Sequence, residues 1–353
     1  MFMRSLIYNN AKIFRYICTG ILCTLMVVVS EILGDPEMIF PEAEALFIGM
    51  LIADKPLWNI SKRLFMFIMG ISALAGLWLS IYRELFLRFI FDAESPGLWL
   101  ERFSMLAAIC VAYAFVSFLL ITYQAALLPA VSACVLPILT NAHSWTYPVS
   151  VIVVTLATLI SNSVAKRANL IPRAGEPVDN DSKSEAKNFD SAEERSRLLA
   201  CFPIVFAAGG AAVMSGFKFA AAPPLIVALL TFAGKSSPLQ NKKLKIYLLI
   251  LICATVGAAS VLLLYIQLKL PMTVAVILTV IIISVIFYKS QILFPPAGAL
   301  AILPAILPEN YVLIYPLMIA AGAAVFILAG SALAGMKFGE VVSKEQLKNP
   351  VIK

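Results

Sequence analysis

The sequence has very little charge and almost no histidine. Of its 353 residues, 13% are Asp, Glu, Lys or Arg, and His143 is the single histidine. A soluble domain has roughly 25% charged residues, so a water-soluble globule is excluded. There is no glycine-rich phosphate loop, no nucleophile elbow and no acid paired with a histidine, and we therefore expect no enzyme. The six cysteines form no Cys-x-x-Cys motif, so we expect no disulfide framework, no metal site and no cofactor.

Apolar residues, by contrast, make up 61% of the chain. At roughly 20 residues per spanning helix, this predicts an all-α polytopic membrane protein with about 12 transmembrane or partly spanning helices. The apolar segments cover residues 14–34, 38–53, 63–83, 103–122, 124–140 and 147–165, then 198–217, 219–234, 244–266, 271–288, 291–308 and 311–336. Segments two and five of each half are the short ones. The stretch 82–102 mixes aromatic and charged residues, which favours an interfacial amphipathic helix.

One charged stretch divides the chain. Residues 166–197 contain almost nothing apolar, which predicts a disordered cytoplasmic linker. It separates a first membrane repeat, 1–165, from a second one, 198–336, and a cytoplasmic tail follows at 337–353.

Prolines recur in register between the halves. Pro129 matches Pro296 at an offset of 167, and Pro41 matches Pro223 at an offset of 182. Because proline is disfavoured inside helices, its recurrence at constant offsets indicates an internal duplication. Six segments are an even number, so the two repeats should have the same orientation in the membrane.

The basic residues predict the orientation. With a cytoplasmic N-terminus, 22 of the 27 Lys and Arg residues fall on the cytoplasmic side and 5 on the other. The positive-inside rule therefore places both termini in the cytoplasm, in an inner or plasma membrane. It also accounts for the net charge of +7 without nucleic acid, so the expected partners are the lipid bilayer and a small-molecule or ion substrate. The five exceptions are Arg83, Arg88, Arg102, Lys218 and Lys269.

Two stretches of the second half resemble a known family. Residues 235–239, Lys-Ser-Ser-Pro-Leu, and 294–301, Phe-Pro-Pro-Ala-Gly-Ala-Leu-Ala, are similar to the two signatures of the HPP family of integral membrane proteins. The similarity runs from Ala220 to near Gly335, with Phe294 at the position of the His in the family's His-Pro-Pro motif. Some members are implicated in nitrite transport across bacterial and plastid membranes. The resemblance thus implies a secondary transporter or channel for a small solute, such as nitrite.

A helix broken at two prolines would suit an anion, because the unpaired N–H groups of the continuing helix carry positive partial charge. The alternative for this stretch is a helix start packed through small residues. Asn59 and Asn241 are either residues of the substrate path or helix N-caps. Gln124 either lines the path or lies among the lipid headgroups. The candidates for the substrate path are Pro295, Pro296, Ala297, Gly298, Ser236, Ser237, Asn241, Asn59, Pro129 and Gln124.

Two carboxylates, Glu42 and Glu44, fall within segment two. Intramembrane carboxylates are usually functional, so one hypothesis makes Glu44 a proton or cation site that couples transport. The other, which we prefer on the sequence, places both residues at the external water interface beside Asp35 and Glu37. In the transport hypothesis, one half rocks against the other around segments two and five.

Two further functions are compatible with the sequence. A proline-bearing second segment followed by a basic loop resembles the fusaric-acid-resistance type of exporter for aromatic or amphipathic acids. A chain so poor in intramembrane charge also suits a non-transporting membrane scaffold or assembly protein. A homo-oligomer is compatible with each of these functions.

Overall fold

The computed structural model describes residues 2–53, 57–58, 60–91, 97–168, 192–234 and 239–336, and within these ranges its regular elements are all helices. They are α1 (Phe2–Leu33), α2 (Glu42–Phe47), α3 (Lys62–Phe91), α4 (Leu98–Thr122), α5 (Pro129–Thr140), α6 (Thr146–Arg167), α7 (Ala192–Ala200), α8 (Phe202–Met214), α9 (Pro223–Ala233), α10 (Lys243–Ser260), α11 (Met272–Ser290), α12 (Pro295–Ile302), α13 (Glu309–Val312) and α14 (Tyr315–Gly335). A π-helical turn extends α2 to Ile52 and another extends α10 to Gln267.

Eight helical stretches in the described ranges are long and apolar enough to cross a membrane. They are α1, α3, α4, α6, α7 with α8, α10 with its extension, α11 and α14. This confirms the prediction of a multi-pass α-helical membrane protein.

Segments two and five of each half form the short helices α2, α9, α5 and α12. Even with its π-helical turn, α2 ends at Ile52, so its helical length is about 17 Å at 1.5 Å per residue. A bilayer core is about 30 Å thick. The helical part of α2 is therefore too short to cross a bilayer by itself, and α5 is only 12 residues long.

The repeated prolines mark where the short helices begin. Pro129 and Pro223 each occupy the first position of a helix, Pro296 follows Pro295 at the second position of α12, and Pro41 is the N-cap residue of α2. The first N–H groups of a helix have no partner within it, so proline is tolerated there. The prediction that a helix starts at Pro295 is confirmed.

Hydrogen bonds between separate elements define the two ends of the bundle. At the proximal end, where α3 begins and α4 ends, Lys62 Nζ donates a hydrogen bond to Ser163 Oγ. At the distal end, where α3 ends and α4 begins, the Glu37 carboxylate accepts from the backbone N–H of Ser144. By this definition α2 and α9 run from distal to proximal, whereas α5 and α12 run the opposite way.

The four short helices lie at the centre of the bundle. α2 packs against α12, and α5 packs against α9. Every residue of α2 and α12 is buried. The long helices around them expose large apolar side chains such as Phe118 and Ile281, as a surface facing lipid requires.

In each half, a long helix approaches a short helix closely at a glycine. A methyl group added at Gly76 would lie 2.2 Å from the carbonyl oxygen of Cys134, and one added at Gly257 would lie 2.0 Å from that of Ala301. The two glycines are 181 residues apart, and their partners are 167 residues apart, which is the offset of the prolines. Only glycine lets α3 and α10 approach α5 and α12 so closely.

Two boundaries differ from the predictions. Residues 192–197 belong to α7, so the disordered linker does not extend to Arg197, which is buried. Residues 82–91 continue α3 instead of forming a separate interfacial helix. The reason is local, because no proline or glycine follows Gly76 before Pro96 and Gly97.

We predict that Gly257→Ala lowers the stability of the protein by about 1–3 kcal/mol, because the new methyl group would overlap the carbonyl of Ala301. Thermal unfolding in detergent measures the loss. Gly209→Ala is the matched control, since its methyl group would lie 4.0 Å from the Ala221 Cβ atom and alanine favours a helix. Equal melting temperatures for the two variants would contradict the close packing.

Candidate functional site

The crossing of α2 and α12 brings together residues from the two halves of the chain. Glu44 lies in the first turn of α2, and Gly298 lies near the start of α12. A methyl group added at Gly298 would lie 2.8 Å from the Glu44 Cγ atom and 2.5 Å from the Ile48 Cδ1 atom. Since the two helices run in opposite directions, both begin at a similar depth and diverge from this contact.

Both carboxyl groups of segment two are buried, with Glu42 and Glu44 each 1% exposed. The Cys23 thiol donates a hydrogen bond of 2.8 Å to Glu44 Oε2. Neither carboxyl oxygen of Glu42 makes a hydrogen bond of normal geometry among the described residues, and the same holds for the buried hydroxyl of Ser132 on α5, although the two side chains are close enough to interact.

The preferred expectation, that these glutamates lie at the external water interface, is therefore wrong. Asp35 and Glu37 do lie at the distal surface, where they accept hydrogen bonds from residues before and at the start of α6. Between them and α2 the chain turns inward at Ile39 and Phe40, which are both buried. This inward turn carries the next acidic residues into the bundle.

No described lysine or arginine forms an ion pair with Glu42 or Glu44. Glu42 interacts electrostatically with the hydroxyls of Tyr147 and Tyr315, one from each half of the chain. An ionised carboxylate in an apolar interior is costly unless it is paired. The site between the halves thus places two carboxyl groups without a basic partner in the interior of the bundle.

The other crossing, between α5 and α9, has no such chemistry. The positions equivalent to Gly298 and Glu44 are Val131 and Ile226, at the offsets of 167 and 182. Both residues are buried and apolar. Only one of the two related crossings carries a carboxyl group together with a glycine that leaves room for it.

Two tyrosines make the same contact in each half. The Tyr147 hydroxyl donates to the carbonyl of Ala133 on α5, and the Tyr315 hydroxyl donates to the carbonyl of Leu300 on α12, both at 2.8 Å. Their recurrence was visible in the sequence as Tyr-Pro pairs 168 residues apart. The structure adds the reason: each hydroxyl binds the backbone of a buried short helix.

Two arginines that the sequence predicts only as cytoplasmic charges are buried, and they also recur. Arg15 is 2% exposed and donates hydrogen bonds to the carbonyls of Leu51 and Ile52 at the end of segment two. Arg197, 182 residues later, is 3% exposed and donates to the carbonyl of Ala233, at the equivalent position in α9. Their shared offset with Pro41 and Pro223 was the signal that could have identified them.

Of the remaining predicted path residues, only Pro295, Pro296 and Ala297, which precede Gly298 in α12, belong to the crossing of α2 and α12. Asn241 is exposed in the 3-10 turn Gln240–Lys242, and the N-cap of α10 is Lys242, so the N-cap hypothesis for Asn241 is wrong. Gln124 is exposed in a left-handed turn with φ 52°. Pro129, Pro295, Pro296 and Ala297 are all buried in first turns of the short helices. Asn59, Ser236 and Ser237 lie outside the described residues.

Phe294 shows what replaces the histidine of the resembled motif. Its side chain is 1% exposed and its ring lies 6.2 Å from that of Phe232, between centroids. The start of α12 therefore meets α9 through an apolar contact. His143, the one histidine, is half exposed at the distal end and bonded to Glu84, as expected of a solvated loop residue.

Comparison of the chain with protein-family models, with curated proteins and with solved structures gives no match. The resemblance to the HPP family therefore stays a prediction, and the interpretation of the site rests on its geometry.

We predict that Arg197→Met destabilises the protein by about 2–4 kcal/mol, because the buried carbonyls of Ala233 and Leu333 and the partly buried carbonyl of Met336 each lose a charged donor. The melting temperature in detergent should fall by several degrees or more. Arg167→Met is the control, since Arg167 is exposed at the same end of the bundle. A similar melting temperature for both variants would show that Arg197 does not hold these helix ends.

Proposed function

We propose that the protein is a secondary transporter for a small solute, and that a proton on Glu44 couples transport to the proton gradient. One observation carries the proposal: a buried carboxyl group without a basic partner lies against Gly298, where short helices from the two halves cross. Intramembrane ionisable groups that face the interior of a bundle usually mark ion or substrate pathways.

A duplicated architecture supports this function. The paired contacts of Gly76 and Gly257, and of Tyr147 and Tyr315, favour two repeats of six segments with the same orientation. Transporters of this type bind substrate near the midplane, where their repeats meet, and short or interrupted helices form the site. The crossing of α2 and α12 joins two such short helices, one from each half of the chain.

The surroundings of Glu44 suit a group that gains and loses a proton. Glu44 lies in the first turn of α2, where the positive partial charge of the helix start favours the carboxylate. The apolar interior favours the neutral acid. In the proposed cycle, rocking of one half against the other exposes Glu44 first to one side and then to the other.

A small anion that moves together with a proton fits this site better than an anion alone. The carboxyl groups of Glu42 and Glu44 would repel an unaccompanied anion, whereas a protonated carboxyl group can donate a hydrogen bond to one. Nitrite, which the resemblance to the HPP family implies, is the substrate to test first. We place the proximal end in the cytoplasm, since that end carries most of the Lys and Arg residues.

Proton uptake by proteoliposomes tests the function. When nitrite is added to vesicles that contain the wild-type protein and a pH-sensitive dye, the vesicle interior should acidify, because each anion enters with a proton. Glu44→Gln should reduce the signal to that of protein-free vesicles. Glu309→Gln, a control at an exposed carboxylate, should leave it unchanged.

The same assay with aromatic acids distinguishes an exporter of that class. No proton movement with any solute, in vesicles whose protein is folded, would instead favour the scaffold function.

We predict that Gly298→Leu abolishes solute uptake while the protein still folds. The larger side chain would occupy the space of the Glu44 Cγ and Ile48 Cδ1 atoms, which are flexible side-chain atoms that can move aside. The matched variant is Val131→Leu, at the equivalent position of the apolar crossing, and it should retain uptake. Uptake in Gly298→Leu at the wild-type rate would refute the assignment of the site.

A further inference from the structure

Three of the five basic residues predicted outside the cytoplasm lie at the distal end on neighbouring elements. Arg83 lies in α3, Arg102 lies in the first turns of α4, and Lys218 begins the 3-10 turn before α9. Arg88 and Lys269, the other two, are exposed. The positive-inside rule gives no reason for cations to be buried at this end.

Arg83 has donors that the described protein does not use. The residue is only 7% exposed, and one guanidinium nitrogen donates to the side chain of Asn141, which caps the end of α5. Its Nε and Nη1 atoms are buried and have no hydrogen-bond partner among the described residues. A buried charged donor left without an acceptor is costly, so this arrangement calls for a further ligand.

Lys218 meets the same helix end from the other half of the chain. Its ammonium group donates a hydrogen bond of 2.7 Å to the carbonyl of Leu139 in α5 and lies 5.1 Å from the ring centroid of Phe219. Arg83 and Lys218 are close enough to repel each other electrostatically. Two like charges held together in a partly buried place are stabilised by an anion between them.

Arg102 adds a third positive charge nearby. It donates to the carbonyl of Met214 at the end of α8, four residues before Lys218 in the chain. Its guanidinium packs over Gly216, where a methyl group would lie 3.1 Å from the Arg102 Nη2 atom. The left-handed backbone of Gly216, with φ 85°, shapes this turn.

The carboxylates nearby do not neutralise the cluster by contact. Glu84 and Glu101 both interact with Arg83 electrostatically. Glu84, however, makes its ion pairs with Arg88 and His143, and no described ion pair joins Glu101 to Arg83 or Lys218. Capping of helix ends explains the contacts of Lys218 and Arg102, but it does not explain the unused donors of Arg83.

We propose that Arg83 and Lys218 form an oxyanion site at the distal end of α5, for a small carboxylate, nitrite or a phosphate group. The guanidinium supplies charged donors through its unused Nε and Nη1 atoms, which suit the oxygens of an anion, and the ammonium supplies a point charge. The phosphate group can belong to a free anion or to a lipid headgroup, because the donors recognise the same oxygens.

Anion binding to the purified full-length protein tests the site. In chloride-free phosphatidylcholine nanodiscs, calorimetric titration with nitrite, acetate and phosphate should show saturable binding of at least one of them. Lys218→Met should weaken that binding about tenfold or more, as loss of a charged hydrogen bond does. Arg83→Gln should weaken it further, and Lys218→Met decides the question if Arg83→Gln does not fold.

Two matched control variants each replace one of the other two distal cations. Lys269→Met and Arg88→Gln should bind like the wild type, because both residues are exposed and lie outside the proposed site. Equal binding in Lys218→Met and Lys269→Met would place the anion elsewhere and overturn the proposal.

Lipid composition separates the two sources of phosphate. If soluble anions do not bind but phosphatidylglycerol raises the melting temperature of the wild type and not of Lys218→Met, the ligand is a headgroup. If phosphatidylglycerol has no such selective effect and no soluble anion binds, the site does not exist.

Discussion

The structure depends on satisfying the backbone of helices that begin and end inside the bundle. Water is absent at membrane depth, so every carbonyl and N–H group there needs a protein partner. The ends of the four short helices lie among other helices, so their terminal backbone groups need partners from outside the helix. Buried side chains, above all Arg15 and Arg197, supply donors to these ends.

This constraint explains which residues recur between the halves. The prolines recur because the first turn of a short helix has no donor to lose. The arginines and tyrosines recur because each half contains the same carbonyls to be bonded, and the glycines recur because each half contains the same close helix crossing. Leucine and valine positions, which any apolar residue fills, have no comparable reason to match.

The two halves share this framework but differ in chemistry. Gly298 accommodates the side chain of Glu44, whereas the equivalent positions carry Val131 and Ile226. In a duplicated architecture, one helix crossing, here that of α5 and α9, can stay apolar and closely packed while the other, that of α2 and α12, contains a polar group. The distal cluster around Arg83 is a second departure from symmetry, and it lies at a different depth from the carboxyl groups.

Much of the fold was predictable from the sequence. Length and hydropathy alone identify the long segments, because membrane helices must be apolar over about 20 residues. The start of α12 at Pro295 followed from proline chemistry. The extent of α7 was not predictable from composition, because this helix has the charged composition of a solvated linker although it packs into the bundle through Arg197.

The candidate site was predictable only in part. The sequence by itself determined that Glu42 and Glu44 are the acidic residues of segment two and that Gly298 leaves space at a helix start. Only the tertiary structure decided that these residues meet, and that the carboxyl groups are buried instead of exposed. The physical reason is that an acidic residue near the end of an apolar segment can face water or the interior with the same sequence. The inward turn of the chain at Ile39 and Phe40, and the partner helix from the other half, select the interior.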